Sequence, residues 1–194
     1  RMAELIKDSK KEQLIKTLFE VGAHFGFSRR RRHPSVSPFL FGYKNNSAII
    51  DLEYTIEALA LGCEFVRDLG RNRAMILFVG NKPEARLAIK KAALDVEMPF
   101  VTERWIGGTF TNFKQIKKRV ERLLWLEEAE TSGELAKYTK KERLLFAKER
   151  KNLTHYFDCI TKMDKLPQAI FVIDSETEAI AVAEAKQVKV PIIA

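Results

Sequence analysis

The strongest chemical signal in the sequence is a run of four arginines, Arg29 to Arg32, followed by His33. It lies in a stretch punctuated by Gly22, Gly26, Pro34, Pro38 and Gly42, with His24 before it and Lys44 after it. No neighbouring cluster of carboxylates could neutralise four guanidiniums. Arginine presents a flat fork of donors that matches phosphate and stacks on bases. Each phosphate it neutralises releases counterions and adds affinity that does not depend on sequence. His24, Arg29, Arg30, Arg31, Arg32, His33 and Lys44 are therefore candidate RNA contacts. The alternative is a solvated basic loop or a targeting patch.

A second signal lies between Lys114 and Lys151, where twelve basic residues face seven acidic ones. Lys114, Lys117, Lys118, Lys140 and Lys141 are the candidates here, although a charged helix pair is also what a soluble coiled coil requires. The third signal is Arg104-Trp-Ile-Gly-Gly-Thr-Phe-Thr-Asn112. It follows a predicted strand and so lies at the carboxyl end of a sheet, where open α/β folds place their ligands. Gly107 and Gly108 allow close backbone approach, and Thr111-Asn112 presents a helix start whose free N–H groups suit a phosphate. Arg104, Trp105, Gly107, Gly108, Thr109, Thr111 and Asn112 complete the candidate site. The alternative is a tight turn with a capped helix and Trp105 as a core plug.

Catalytic constellations are weaker. Val79-Gly-Asn-Lys82 has one glycine where a dinucleotide fingerprint or a P-loop needs more. No G-x-S-x-G elbow occurs. Asp51, Glu53, Glu103 and Asp174 each read as strand-end or cap residues, and no base, nucleophile and orienter fall at spacings that would unite them. His24, His33 and His155 lack metal-ligand spacing. No catalytic residue, metal or cofactor is expected. A nucleotide- or phosphometabolite-binding enzyme on the same sheet remains the competing function, and an adaptor that docks partners through its helices is the third.

These residues must be carried by a framework. The chain has 194 residues, 46% hydrophobic, which suffices for one packed domain with an insertion. The net charge of +8 favours a polyanionic partner. Cys63 and Cys159 are far apart, read as core or boundary helix residues, and suggest a reducing compartment rather than a disulfide. No apolar run approaches the roughly 20 residues that span a bilayer, and Arg1 to Lys11 has no signal-peptide pattern.

Residues 3–20 show helical periodicity, and residues 22–46 read as an irregular arm. Strands are predicted at Ala48–Asp51, Met75–Val79, Phe100–Val101, Ala169–Ile173 and Val190–Ala194. They alternate with helices at Glu53–Leu69, from Pro83 to about Asp95, and at Thr177–Gln187. That alternation indicates a parallel α/β sheet with right-handed crossovers. Residues 111–160 interrupt it with two helices, the second opened by a Thr139-x-x-Glu142 capping box, forming an antiparallel hairpin or coiled coil. The expected domains are 1–46 (helix and basic arm), 47–110 with 161–194 (sheet), and 111–160 (hairpin).

Across nearly the whole chain these blocks resemble bacterial-type small-subunit ribosomal protein two. The resemblance is carried by Gly22-Ala-His-Phe-Gly26 with its basic arm, Pro38-Phe-Leu-Phe-Gly42, Ile49-Ile-Asp-Leu52 and Ile76-Leu-Phe-Val-Gly80. It continues through Arg104 to Asn112, Leu166-Pro-Gln-Ala-Ile-Phe-Val-Ile-Asp174 and Ile180-Ala-Val-Ala-Glu-Ala185. It implies a flavodoxin-like parallel sheet with an inserted helical hairpin. It also implies a structural place on the solvent side of the small ribosomal subunit, between head and body, in a cytoplasmic or organellar ribosome. The implied partners are small-subunit rRNA and neighbouring ribosomal proteins, including, in some bacteria, the large RNA-capturing first small-subunit protein. Neither a membrane nor a small-molecule substrate is implied.

The sequence departs from the family at Phe27 and Ser28, where histidine-glutamine is frequent. It departs again at Arg32 (a tryptophan), Ser35 and Ser37 (lysines), and Ala48 (a histidine). Metal or stacking roles of those side chains are therefore not carried over, and the extra arginines shift the arm toward phosphate. The family normally continues past Ala194 with a further strand and helix.

Overall fold

A computed structural model describes residues Asp8 to Ala194, with side chains from Lys10 onward. The part of the first predicted helix before Asp8, with Leu5 and Ile6, lies outside the described residues. The chain divides into two compact units, one ending at Arg71 and the other running from Asn72 to Ala194.

In the first unit, α1 (Asp8–Glu20) leads into β1 (Phe25–Ser28), a 3-10 turn over Pro34–Phe39, β2 (Leu40–Lys44), β3 (Ser47–Ile50) and α2 (Leu52–Arg71). The three strands form an antiparallel sheet in the order β1-β3-β2. This corrects two expectations. Residues 22–46 are not an irregular arm, and the strand near Ala48 does not belong to the parallel sheet. The cause is local: Asn45 and Asn46 have φ of 49° and 66°. Two successive left-handed residues make the type I′ turn that matches strand twist, so Ser47–Ile50 folds straight back on Leu40–Lys44. With that edge taken, the boundary falls after α2, not at residue 46. Asp51 caps α2, its Oδ1 accepting the Glu53 N–H at 2.9 Å.

The second unit is the α/β domain. Four parallel strands, β4 (Ile76–Val79), β5 (Phe100–Val101), β6 (Ala169–Val172) and β7 (Ile192–Ile193), lie in the order β5-β4-β6-β7. Taken in chain order within this sheet, that is 2-1-3-4, the flavodoxin-like pattern. The strands are short and apolar because both faces are covered. On one face Leu77, Val79, Ile170 and Val172 join Ala181 and Ala185 of α6 (Ala179–Gln187). On the other, Phe78 packs toward Ile89 and Ala93 of α3 (Pro83–Asp95).

The insertion consists of α4 (Phe113–Thr131) and α5 (Lys140–Phe157), joined through Gly133, whose φ of 74° turns the chain. Ile116, Val120, Leu123 and Leu126 of α4, with Leu153 and Phe157 of α5, merge into the sheet core. The buried stripe of α4 continues to Ala129, at spacings of 4, 3, 3 and 3 from Ile116, so it leaves the heptad after Leu123. Above it the helices are tied by Arg122, which reaches Glu149 at 3.0 Å and lies 4.5 Å over Trp125. Arg150 pairs with Glu130. The capping box forms: the Thr139 N–H donates to Glu142 at 2.9 Å and the Glu142 N–H donates to the Thr139 hydroxyl.

Candidate nucleic-acid interface

In the first unit the basic run follows β1. Arg29, Arg30 and Arg31 are exposed and have no acidic partner among the described residues. Arg32 differs. It is half-buried, donates to the Ser37 hydroxyl, and leaves its Nε unpartnered. The guanidiniums of Arg29 and Arg32 stand 5.4 and 5.5 Å from the Tyr43 ring. His33 serves the local turn, its Nδ1 accepting the Ser35 N–H at 3.2 Å. His24 stacks on Phe19 at 4.3 Å and packs against Phe25, with its Nδ1 buried and unpartnered. Lys44 ends β2 exposed. The surface available to a phosphate here is therefore Arg29 to Arg31 with Lys44, while Arg32, His24 and His33 shape the turn.

In the second unit the loop from Arg104 to Asn112 does follow β5, but several of its N–H groups are already used. Glu184 of α6, buried, takes them. Its Oε1 accepts the Trp105 indole N–H at 3.2 Å and the Gly108 N–H at 2.7 Å. Its Oε2 accepts the N–H groups of Phe110 at 2.9 Å and Thr111 at 3.2 Å, with the Thr111 hydroxyl at 3.3 Å. Desolvation pushes the Glu184 carboxyl up, but the donated hydrogen bonds, led by Phe110, Gly108 and Thr111, outweigh it and hold the group below its ordinary value.

Glu184 and the Gly108 carbonyl thus take the Thr111 and Asn112 N–H groups that were expected to be free for a phosphate, which corrects that expectation. Trp105 and Thr109 are buried, Trp105 edge-on to Phe110 at 5.2 Å, so neither side chain faces a ligand. Gly108 has φ of 91°, the conformation that the turn demands. Asn112 occupies the N-cap position of α4 without a side-chain cap. Arg104, Gly107, Thr111 and Asn112 remain at least partly accessible, and Lys114 and Lys118 lie exposed just beyond on α4. Lys117 makes a loose 3.9 Å contact with Asp164. Lys140 and Lys141 are exposed at the start of α5.

The chain reverses its side of the sheet between β4 and β6, and that switch point is where a doubly wound sheet opens its ligand crevice. Here the polar groups at that point engage one another. Lys82 pairs with Asp174, and the Asn81 N–H donates to buried Glu178 at 3.0 Å. Asp174 also accepts from the Glu176 and Thr177 N–H groups. The hydrogen bond from Lys82, reinforced by Thr177, holds the Asp174 carboxyl at about 2 despite some desolvation. Glu178 is pushed up by burial and by Asp174, against the Asn81 hydrogen bond. Arg86 binds the Asn81 carbonyl at 2.8 Å and pairs with Glu103.

Glu184 escaped the sequence reading because its partners lie more than seventy residues away. One cue was present: it is the only carboxylate within Ala179-Ile-Ala-Val-Ala-Glu-Ala185, an otherwise apolar helix segment.

In this α/β domain the charged groups at the switch point pair with one another, and Lys114, Lys118, Lys140 and Lys141 stand exposed on the insertion. The chain belongs to the ribosomal protein S2 family, whose profile, "Ribosomal protein S2", matches residues 18–194. It is 42% identical over 180 residues to the small ribosomal subunit protein uS2 of Desulfatibacillum aliphaticivorans, covering 93% of this chain and 61% of that protein. It is 41% identical to the proteins of the same name from Helicobacter acinonychis (strain Sheeba) and Helicobacter pylori (strain Shi470), covering 93% of this chain in each case and 73% and 68% of theirs. The chain thus spans less than two thirds of the first relative's length. No described helix is long and apolar enough to cross a membrane.

Proposed function

We propose that the protein is a structural constituent of the small ribosomal subunit in the cytoplasm, holding rRNA and neighbouring ribosomal proteins between head and body. The observation that carries this reading is the exposed row Arg29 to Arg31, which has no acidic partner among the described residues. Guanidiniums without an acidic partner, carried by the turn after β1, are suited to phosphates, which position a structured RNA without reading its sequence. Lys114, Lys118, Lys140 and Lys141 extend the same chemistry along the helical insertion. The protein works by geometry and charge and transforms no substrate. The engagement of Lys82, Asp174, Asn81 and Glu178 with one another supports that reading over a nucleotide enzyme. Co-sedimentation with small subunits in moderate salt tests it. Recovery with the subunit, lost progressively as salt rises, is expected; recovery only in the subunit-free supernatant at low salt contradicts it.

A further inference from the structure

The small antiparallel sheet of the first unit carries a second feature that phosphate binding leaves unused. Its register slips once in each edge strand, between Phe25 and Ser28 in β1 and between Leu40 and Gly42 in β2. A bulge re-aims the side chain it contains and recurs near functional sites. Here the slips contain Phe27 and Phe41, which are 55% and 82% exposed. Gly42, beside Phe41, leaves open space where a side chain would stand. Exposed phenylalanine is costly in water, and here one ring stands on each edge strand, on either side of β3.

The chemistry around these rings selects the occupant. Residues 21–50 contain five arginines and lysines, five phenylalanines and tyrosines, and no carboxylate. Arg29 already lies 5.4 Å from the Tyr43 ring, so cation and aromatic surface are interleaved rather than segregated. A surface rich in flat rings and guanidiniums and free of acid fits a chain that alternates flat bases with phosphates. Bases inside a duplex are stacked on each other and hide their faces, whereas unpaired bases offer them.

We propose that Phe27 and Phe41 form a base-stacking site for unpaired RNA, with Arg29 to Arg31 holding the phosphates between the stacked bases. This rests on the RNA-binding reading and narrows it to single-stranded segments at this sheet.

The test uses the full chain and fluorescence anisotropy with two labelled probes across a salt series: an oligouridine of about a dozen nucleotides and an RNA duplex of similar length. One stacked base is worth roughly five- to 150-fold in affinity. The double variant Phe27→Leu/Phe41→Leu keeps apolar bulk but removes the rings. It should weaken oligouridine binding about tenfold or more, change duplex binding less than about twofold, and leave the salt slope unaltered. Phe27→Trp/Phe41→Trp should restore binding. Unchanged oligouridine affinity, or equal losses on both probes, would overturn the proposal. So would loss of small-subunit association with oligouridine binding intact, because the rings would then seat a protein. Failure of the wild-type chain to bind either probe or to sediment with small subunits would instead remove the RNA-binding reading itself.

Discussion

Replacing Glu184 by alanine should detach the loop from Trp105 to Thr111 from α6. The carboxylate accepts from Trp105, Gly108, Phe110 and Thr111, with both Thr111 donors involved. A hydrogen bond to a charged group contributes about 1.5–3 kcal/mol, and an orphaned buried donor costs about 1–3 kcal/mol. Such terms do not add, and water can reach Gly108, so the net loss is about 3–5 kcal/mol, the range for breaking a buried charged network. For a chain of this size, each kcal/mol lowers Tm by about 2–4 °C. Glu184→Ala should therefore melt at least ~6 °C lower. Glu184→Gln should fall between, because one amide oxygen remains for Trp105 and Gly108 while its NH₂ opposes the Phe110 and Thr111 donors. Hydrogen exchange gives the local readout: the Gly108, Phe110 and Thr111 amides should lose protection first in the alanine variant. Unchanged melting with those amides still protected would refute the reasoning. Because the folded carboxyl is held below its ordinary value, its stabilisation is present above the ordinary carboxylate range and fades as pH falls through the folded value; Glu184→Gln should lack that acid-dependent component.

Other outcomes follow from the same geometry. Changing Arg29, Arg30 and Arg31 together to alanine should reduce the dependence of log K on log salt by about 2–3, at roughly 0.7–0.9 per lost phosphate contact; an unchanged slope in filter binding would exclude them. A Cβ at Gly80 would collide with the Ile89 side chain of α3, itself buried in a cluster with Phe100 and Phe78, so Gly80→Ala should cost about 1–3 kcal/mol, read as a lower urea midpoint with an unchanged m-value. Asp174, held at about 2 against an ordinary 3.8, stabilises the fold above the ordinary value and loses that contribution as pH falls toward 2. Asp174→Asn should flatten that part of the acid-unfolding curve.

The framework of the α/β unit could be read from local cues because local chemistry decides it. The apolar run ending at Val79 is β4, Pro83 opens α3, and Thr139-x-x-Glu142 caps α5, each within a residue or so of expectation. The first unit is less legible for an equally physical reason. Gly22, Gly26, Pro34 and Pro38 suggest an irregular arm, yet the flanking aromatic alternation and Asn45-Asn46 are a hairpin signature. The Arg104–Asn112 loop was located from its position after a strand, but its occupant could not be found, because Glu184 meets it only once α6 is folded. Burial likewise decided that Trp105 and Thr109 build the loop, while Arg104 beside them remains outside.

The central claim is that the exposed arginines of the turn after β1 rest on RNA phosphates. Cryo-electron microscopy of small subunits carrying this chain tests it most directly. The account predicts Arg29, Arg30 and Arg31 within hydrogen-bond distance of phosphate oxygens. Side chains turned to bulk water or to carboxylates of a neighbouring protein would contradict it.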